Sequence, residues 1–553
     1  MLDDDTRIQQ NQYYTGFNLR NRYDILEPVL QGKVDVAAPI GLKQGILTFG
    51  NYIIIFVAGY AYYRYYTATG WTRIDGFRMS STAERFWTEE VPVATTLYGR
   101  FANPYTTVDP VSGNFLPVAD QTPSANQGVR LNGIAGSFAG NLPGLLVQDN
   151  INQPQFIYLH ASTGKPVTRK TQNYDEWSVT YDSDYNITED KREYVPIGNS
   201  MAWVDGILYI TSQDFTQIYR SVSGRPLDFV VNIDMDGQKG GDAASTAYNV
   251  GVGGISCLRQ MSNNALFVAA SNANFLVSKN MTENSPKIFG EYTFIRTFLF
   301  NATCLSDRAI LDSIGDTKFI DLTGVRSFNA IQQEQNEGRN SAFSATIQSA
   351  FAGLVQDYRY SAAILYDNYE FYSMGTIFGP AIAVYDTINQ CWTSFDLNQT
   401  AGSRIKMFAK IELTIQRLYA ITEDDNLYTL YIGPLNESPR LRPISASPLL
   451  LRTETGDGVN PKGEIKLTDF RCILNKVDQD SVVTVTPYVN NRLTKSLAYV
   501  KNVPYKAPTV TSSEVFPDVN TQLVNLLFSF TDCGQGWKTF CLVEWEGSGS
   551  LVQ

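Results

Sequence analysis

The 553-residue chain is poor in the groups that most catalysis uses, with a single histidine, His160, and six cysteines. A Ser-His-Asp or Cys-His relay needs an imidazole as its base. His160, within the apolar run "QFIYLH", is the one candidate, and it reads as a packed or edge imidazole rather than a catalytic one. Cys257, Cys304, Cys391, Cys472, Cys533 and Cys541 are scattered, form no C-x-x-C pair and do not neighbour the histidine, so zinc spacing is absent. They are expected as free buried thiols in a reducing compartment.

Long apolar runs are also missing. From Tyr52, about a dozen apolar residues precede Arg64, against the roughly 20 that a membrane-spanning helix needs. The opening "MLDDDTRIQQNQYY" carries acids where an export signal has a basic start and an apolar core, so export by the standard route is not expected. No phosphate-cradling G-x-x-x-x-G-K-[ST] loop occurs, and "GVGGIS" fails the dinucleotide pattern. Basic residues are outnumbered, 44 Lys and Arg against 55 Asp and Glu, giving a net charge of −11 and a pI near 4.9. That balance argues against a surface that grips nucleic-acid phosphates.

Abundant instead are Tyr (32), Phe (30) and Gly (41), a composition that favours strands joined by tight turns. "NYIIIFVAGYAYYRYY" predicts a hairpin, Tyr52 to Val57 and Tyr60 to Tyr66, turning at Gly59, with its unbroken first arm covered on both faces. The same theme of strand, turn and aromatic-rich strand returns at Gly144 to His160, Met201 to Gly224, Ile255 to Ser278 and Arg308 to Phe328. It returns again at Ser361 to Leu397 and at Met407 to Gly433. Seven units at spacings of about 40 to 60 residues predict a mainly β fold, an irregular β-propeller whose blades bury their faces only against one another. Stacked β-sandwiches are the alternative.

Inserted loops are expected at 103–142 and 175–196, where Pro, Gly, Ser, Asn, Asp and Thr concentrate. One amphipathic helix is expected in "NSAFSATIQSAFAGLVQ", with Phe343, Ile347, Phe351, Leu354 and Val355 on one face. The domains so read are an N-terminal arm with first strands (1–40), the propeller (41–435) and a C-terminal β-sandwich-like domain (436–553). Acids approach one another in "NIDMDGQKGGD" (232–242) and "TEDDN" (422–426). The first, with Asp234, Asp236 and Gly237, matches a calcium loop only in part, and the second reads as a reverse turn. No catalytic, cofactor-binding or metal-ligating residue is assigned. "TGWTRIDG" (69–76) is similar to one Asp-box turn, without repeats, and "YAYYRYY" reads as core rather than a platform for stacked bases.

The ordered succession of "GWTRI", "LLVQDNINQPQFIY", "DGILYITSQDFTQIYRSVSGRPLDF", "ALFVAASNANFLV", "GDTKFIDLTGVRSF", "VYDTINQCWTSFDL" and "RLYAITEDDNLYTLY" resembles the tail nozzle proteins of short-tailed double-stranded DNA bacteriophages. That family is called tail tubular protein B or packaged-DNA stabilisation protein, and muzzle protein in gut phages. The resemblance covers about residues 17–435. It implies a non-enzymatic virion protein without cofactor, forming a ring of six copies below the portal and adaptor. Tail fibres or spikes would adjoin it, the genome would pass through without sequence recognition, and assembly would take place in the host cytoplasm. Six copies would carry about −66, six times −11, and a like-charged wall lets DNA slide. A carbohydrate-active propeller enzyme, which could work through paired carboxylates, and a host-binding adhesin are the competing readings.

Overall fold

The computed structural model describes residues 15–22, 25–92, 143–160, 163–171, 173–176, 178–181, 183, 187–191, 194–221, 226–229, 245–249, 254–261, 265–271, 273–278, 295–299, 303–313, 315–331, 342–351, 357–397, 399–431, 444–447, 464–475, 481–489, 492–493, 499–503, 509–512, 520–521, 524–531 and 541–552. The fold is nearly all β, and seven antiparallel sheets are the blades of a β-propeller, each on one of the seven repeats read from the sequence. Two compact units divide the chain, one of 36–341 with 409–416, the other of 1–35, 342–408 and 417–553. No helix among the described residues is long and apolar enough to cross a membrane.

In the first unit, blade one comprises Lys43–Phe49, Tyr52–Val57, Tyr60–Tyr65 and Thr72–Arg73. Its central hairpin is the predicted one. Ile53, Ile54, Ile55 and Phe56 are all fully buried, so both faces of that strand are covered. The two-residue turn has left-handed backbone at Ala58 and Gly59, φ 49° and 84°, which matches the right-handed twist of its arms. At Gly59 the carbonyl of Met79 lies 2.6 Å from where a Cβ would stand, so only glycine fits.

Blade two is Trp87–Pro92, Pro143–Gln148, Gln155–Leu159 and Pro166–Lys170, and blade three is Gly198–Val204, Ile207–Ser212, Gln217–Arg220 and Ser245–Asn249. Blade four is Ile255–Gln260, Leu266–Ala270, Ala273–Ser278 and Ile295–Leu299. Blade five has three strands, Ile310–Ser313, Asp316–Asp321 and Gly324–Ser327. Side chains alternate across each strand, and the alternation assigns them to two different cores. Leu145, Val147 and Ile157 face Phe49, Ile54 and Phe56 of blade one, whereas Leu146, Phe156 and Tyr158 face Met201, Leu208 and Ile210 of blade three. On blade four, Leu258 and Val268 meet Ala202 and Val204 of blade three, while Cys257 and Phe267 meet Ile310 and Phe319 of blade five.

Between blades two and three, the insertion 175–196 contains a separate hairpin, Ser178–Tyr181 with Ile187–Lys191, where the sequence suggested loop alone. Short alternating runs of β-formers, "SVTY" above all, account for it. The insertion 103–142 lies outside the described residues.

In the second unit, blade six is Ala362–Tyr366, Tyr369–Thr376, Gly379–Asp386 and Cys391–Leu397. Blade seven is Ile405–Glu412, Gln416–Thr422 and Leu427–Leu430, and it takes its outermost strand, Lys33–Val34, from the N-terminal part of the chain, paired as Tyr428↔Val34 and Thr429↔Lys33. Thr15–Phe17 lies parallel to the last strand of blade six and antiparallel to Ile444–Ser447, so blade six continues into a sheet of C-terminal strands. Leu19–Arg22 and Ile25–Pro28 join a second C-terminal sheet through the pair Leu26↔Leu542. The expected amphipathic helix is replaced, within 345–350, by 3₁₀ turns broken at Ile347 (φ −119°, ψ 16°). β-Branched Thr346 and Ile347 and the absence of a side-chain cap at Ser344 disfavour a continuous α-helix. Ile347 and Phe351 are nonetheless buried, as their spacing predicts, and Leu354 and Val355 lie outside the described residues.

An ion pair fastens the N-terminal strands to blade six. Arg20 reaches both oxygens of the buried Asp396, which also accepts from Ser394 at 2.7 Å and from the Tyr431 hydroxyl. The guanidinium lies 5.0–5.4 Å from the rings of Tyr369, Phe371 and Tyr431. Burial would lower the Arg20 pKa, but Asp396 and the ring hydroxyls outweigh it and raise it. Beside the pair, the Asn18 side chain accepts from Leu397 N at 2.8 Å. Arg20→Ala leaves a carboxylate buried without its partner and is expected to cost about 3–5 kcal/mol. Replacing both partners, as Arg20→Met with Asp396→Leu, should recover most of that loss in denaturant unfolding.

Candidate functional site

The first strand of each blade is a sheet edge, and its outward N–H groups have no strand to bond. Side chains of neighbouring blades supply acceptors. Ser200 Oγ of blade three accepts from Leu258 N of blade four at 2.9 Å, and Glu89 Oε1 of blade two accepts from Trp203 N of blade three at 2.8 Å. Gln148 spans the same blade pair, donating to the Pro196 carbonyl and accepting from Gly198 N.

The first strands of blades two and four lie against that of blade three, and a cavity of about 640 Å³ opens along them. Its wall carries Trp87, Glu89 and Glu90 from blade two, Met201 from blade three, Arg259 and Met261 from blade four, and Asp307 and Asp312 beyond them. Four carboxylates and the Arg259 guanidinium thus line it. Arg259 bonds Asp312 at 2.9 Å, and Asp312 accepts from Thr317 on its other oxygen at 3.0 Å. Asp307 pairs with Arg85, whose guanidinium lies 4.4 Å from the Trp87 ring centroid. Burial and the neighbouring Arg85 bring Arg308 down to about 9.

Glu89 is the unusual group. Desolvation pushes its carboxyl up to about 7, against the Trp203 N–H and the Arg259 charge, which pull it down. Glu90 is raised by burial too. Among the described residues neither forms an ion pair. The cavity therefore offers a carboxyl that titrates near neutrality beside acids already matched with arginines. In the second unit, a void beside Tyr360, Ser373 and Arg404 holds about 10 Å³, room for a single water at most.

The residues singled out in the sequence lie elsewhere. His160 is buried at a strand end, its Nδ1 accepting from Thr163 N at 3.3 Å, a packed imidazole as read. "TEDDN" is the expected turn: Asp424 accepts from Thr422 and Asn426 side chains, Asp425 has φ 59°, and Lys406 pairs with Asp425. The segment 232–242 is outside the described residues. In "YAYYRYY", Ala61 and Arg64 are buried as core, whereas Tyr60, Tyr62, Tyr63 and Tyr66 are only partly buried and Tyr65 is exposed; the rings form no flat platform, Tyr63 meeting Tyr52 edge-on at 84° and Tyr65 lying tilted at 43° to Tyr66. Arg64 stacks 4.4 Å from the Trp71 ring centroid. Cys257 and Cys304 are buried free thiols, and Cys391 is a partly buried one.

No family model and no curated protein matches the chain. Among solved structures it is similar to Raptor of Chaetomium thermophilum, with TM-score 0.38 and 8% identity over 73% of this chain and 29% of that one. It is similar as well to YCF48 bound to D1 peptide, with TM-score 0.35 and 8% identity over 75% and 97%. A third is the dihydro-heme d1 dehydrogenase NirN in complex with DHE, with TM-score 0.32 and 8% identity over 76% and 73%. The chain thus spans under a third of the Raptor chain. Likenesses of this degree carry nothing about function.

A carboxyl with a higher pKa folded than unfolded holds its proton more tightly in the folded state. Its contribution to stability is complete below the ordinary value of 4.5 and is lost as pH rises through about 7. Wild-type protein is expected to lose on the order of 1 kcal/mol between pH 5 and 8 from this group, after allowing for solvent screening of a half-buried side chain. In Glu89→Gln that part of the pH dependence should vanish, as read by thermal unfolding at both pH values.

Proposed function

We propose that the chain is a structural virion protein of the tail nozzle of a short-tailed double-stranded DNA bacteriophage, a ring-shaped conduit that retains packaged DNA and passes it during ejection. The observation that carries this reading is correspondence in order. The motifs that resemble the nozzle family fall on the blades one after another, from "GWTRI" on blade one to "RLYAITEDDNLYTLY" on blade seven. A net charge of −11 per copy suits a wall past which phosphates slide, because nothing on it displaces their counterions in bulk. Strand exchange among the N-terminal segment, blade six and the C-terminal sheets supports a stiff body.

In this reading the partners are further copies of the chain in a ring of six, the portal and adaptor above, tail fibres or spikes beside, and double-stranded DNA within. The place is the virion tail, assembled in the host cytoplasm, and the protein is not an enzyme. The insertions at 103–142 and 175–196 would hold the DNA back until the host surface is engaged. One specific observation favours the second reading, a carbohydrate-active enzyme: a carboxyl near neutral pKa with other acids in the same cavity suits a general acid.

Mass determination of the purified protein with negative-stain imaging is expected to find rings of six, and purified virions should contain the chain in fixed ratio to portal. A monomer that cleaves glycosides and loses that activity in Glu89→Gln would instead carry the second reading. Deleting the hairpin of 178–191 should yield particles that assemble but leak DNA, measured as nuclease-sensitive genome. Normal retention would remove the gating role from that insertion.

A further inference from the structure

Two of the free thiols meet inside the molecule. Cys257 lies on the first strand of blade four and Cys304 follows the last, so the pair brackets the whole sheet. Both are fully buried in the core shared with blade five, beside Phe267, Ile310 and Phe319. The backbone around each is held in place. Cys257 pairs with Ala269 across the sheet, Ser256 Oγ donates to the Cys304 carbonyl at 2.6 Å, and Cys304 N donates to Asn274 Oδ1 at 3.4 Å. The thiols form a short relay: Cys257 is hydrogen-bonded to Cys304, whose Sγ donates to the Ser306 carbonyl at 3.1 Å. That bond to Cys304, and then burial, push the Cys257 thiol up, so its thiolate is scarce and the pair is slow to react while the fold is closed. Hydrogen bonds from sulfur are weak, and the Ser306 carbonyl also accepts from Ala309 N at 3.0 Å. Loss of the two S–H groups therefore strands no buried acceptor.

We propose that Cys257 and Cys304 are a covalent modification site: a disulfide forms between them when the chain leaves reducing surroundings and meets small-molecule disulfides. The inference does not rest on the nozzle reading. In the exchange, one cysteine thiolate attacks a sulfur of the small disulfide, forming a mixed disulfide and expelling one thiolate. The other cysteine then attacks the protein-bound sulfur, closing the Sγ–Sγ bond and expelling the second thiolate. The chain gives up two electrons and two protons, and the small disulfide takes them up as two thiols. Because both sulfurs are sealed in the core, access comes from local opening between blades four and five. The new bond ties the start of blade four to the chain beyond its end, and the ring it closes holds the other three strands of that blade. It restrains the unfolded chain more than the folded one, where the two thiols already touch.

Incubation of the full chain with cystamine tests this, at a temperature and time at which N-ethylmaleimide labels both thiols of the still-folded chain in a parallel sample. After quenching with maleimide and digestion, mass spectrometry should find the peptides of Cys257 and Cys304 joined, two hydrogens lighter than their sum and separated by dithiothreitol. The oxidised chain should melt about 5 °C above the reduced one, and neither Cys257→Ser nor Cys304→Ser should gain that shift. Cysteamine adducts without the joined peptide, both thiols left free, a link from Cys257 to a different cysteine, or a link that leaves the melting temperature unchanged or lower overturns the proposal. The link is read on the wild-type chain, so the test stays decisive should either serine variant fail to fold.

Discussion

Every blade is a small sheet that is apolar on both faces, and this constraint governs the rest of the structure. A four-stranded sheet of this kind cannot stand in water, and a single partner would cover only one face. Leu146 and Leu145 are neighbours in one strand, yet the first is buried against blade three and the second against blade one. Each core is therefore shared by two successive sheets. Leu, Phe or Met buried at such a position contributes about 1.5–3 kcal/mol, and loss of one sheet would strip a face from both of its neighbours.

The same constraint creates a second requirement at the sheet edges. First strands that turn their open edge away from their own blade must find acceptors for buried N–H groups, and the acceptors come from side chains across the blade gap. Ser200 and Glu89 serve in this way. Glu89 thus belongs to the architecture through one oxygen and to the cavity through its position in the wall. That dual placement explains why an acid is tolerated where its carboxyl is pushed up to about 7. In the second unit the N-terminal strands do comparable work on a larger scale, where Thr15–Phe17 bridges blade six and Ile444–Ser447, and Arg20 is locked to Asp396 beneath an aromatic cluster.

Local turn chemistry recurs with little change. In "DNINQ" and "DTINQ", Asp149 and Asp386 each accept from the N–H groups two and three residues on, at 2.7–3.0 Å, and from the side chains of Asn152 and Asn389 respectively. These aspartates look like candidate ligands in a list of acids, but their oxygens are occupied by the turn. The cavity acids gave a fainter signal. Glu89 and Glu90 stand side by side in "FWTEEVP", breaking an otherwise strand-like run, and Arg259 breaks "ISCLRQ" in the same way. A charge within the first strand of a repeat is the mark that could have found them.

From sequence alone, alternation, glycine turns and β-branched runs determined the strands, the hairpin at Gly59, the seven repeats and the packed state of His160, because each depends on residues close together in the chain. Periodicity misjudged 345–350, where buried apolar spacing is met by broken 3₁₀ turns. Only the tertiary structure decided that Arg20 meets Asp396 across 376 positions, that Lys33–Val34 completes blade seven, and that Glu89 lines a cavity with Arg259. Such pairings depend on how sheets are placed side by side, and a strand's own residues specify which faces must be covered without specifying which distant residue does the covering.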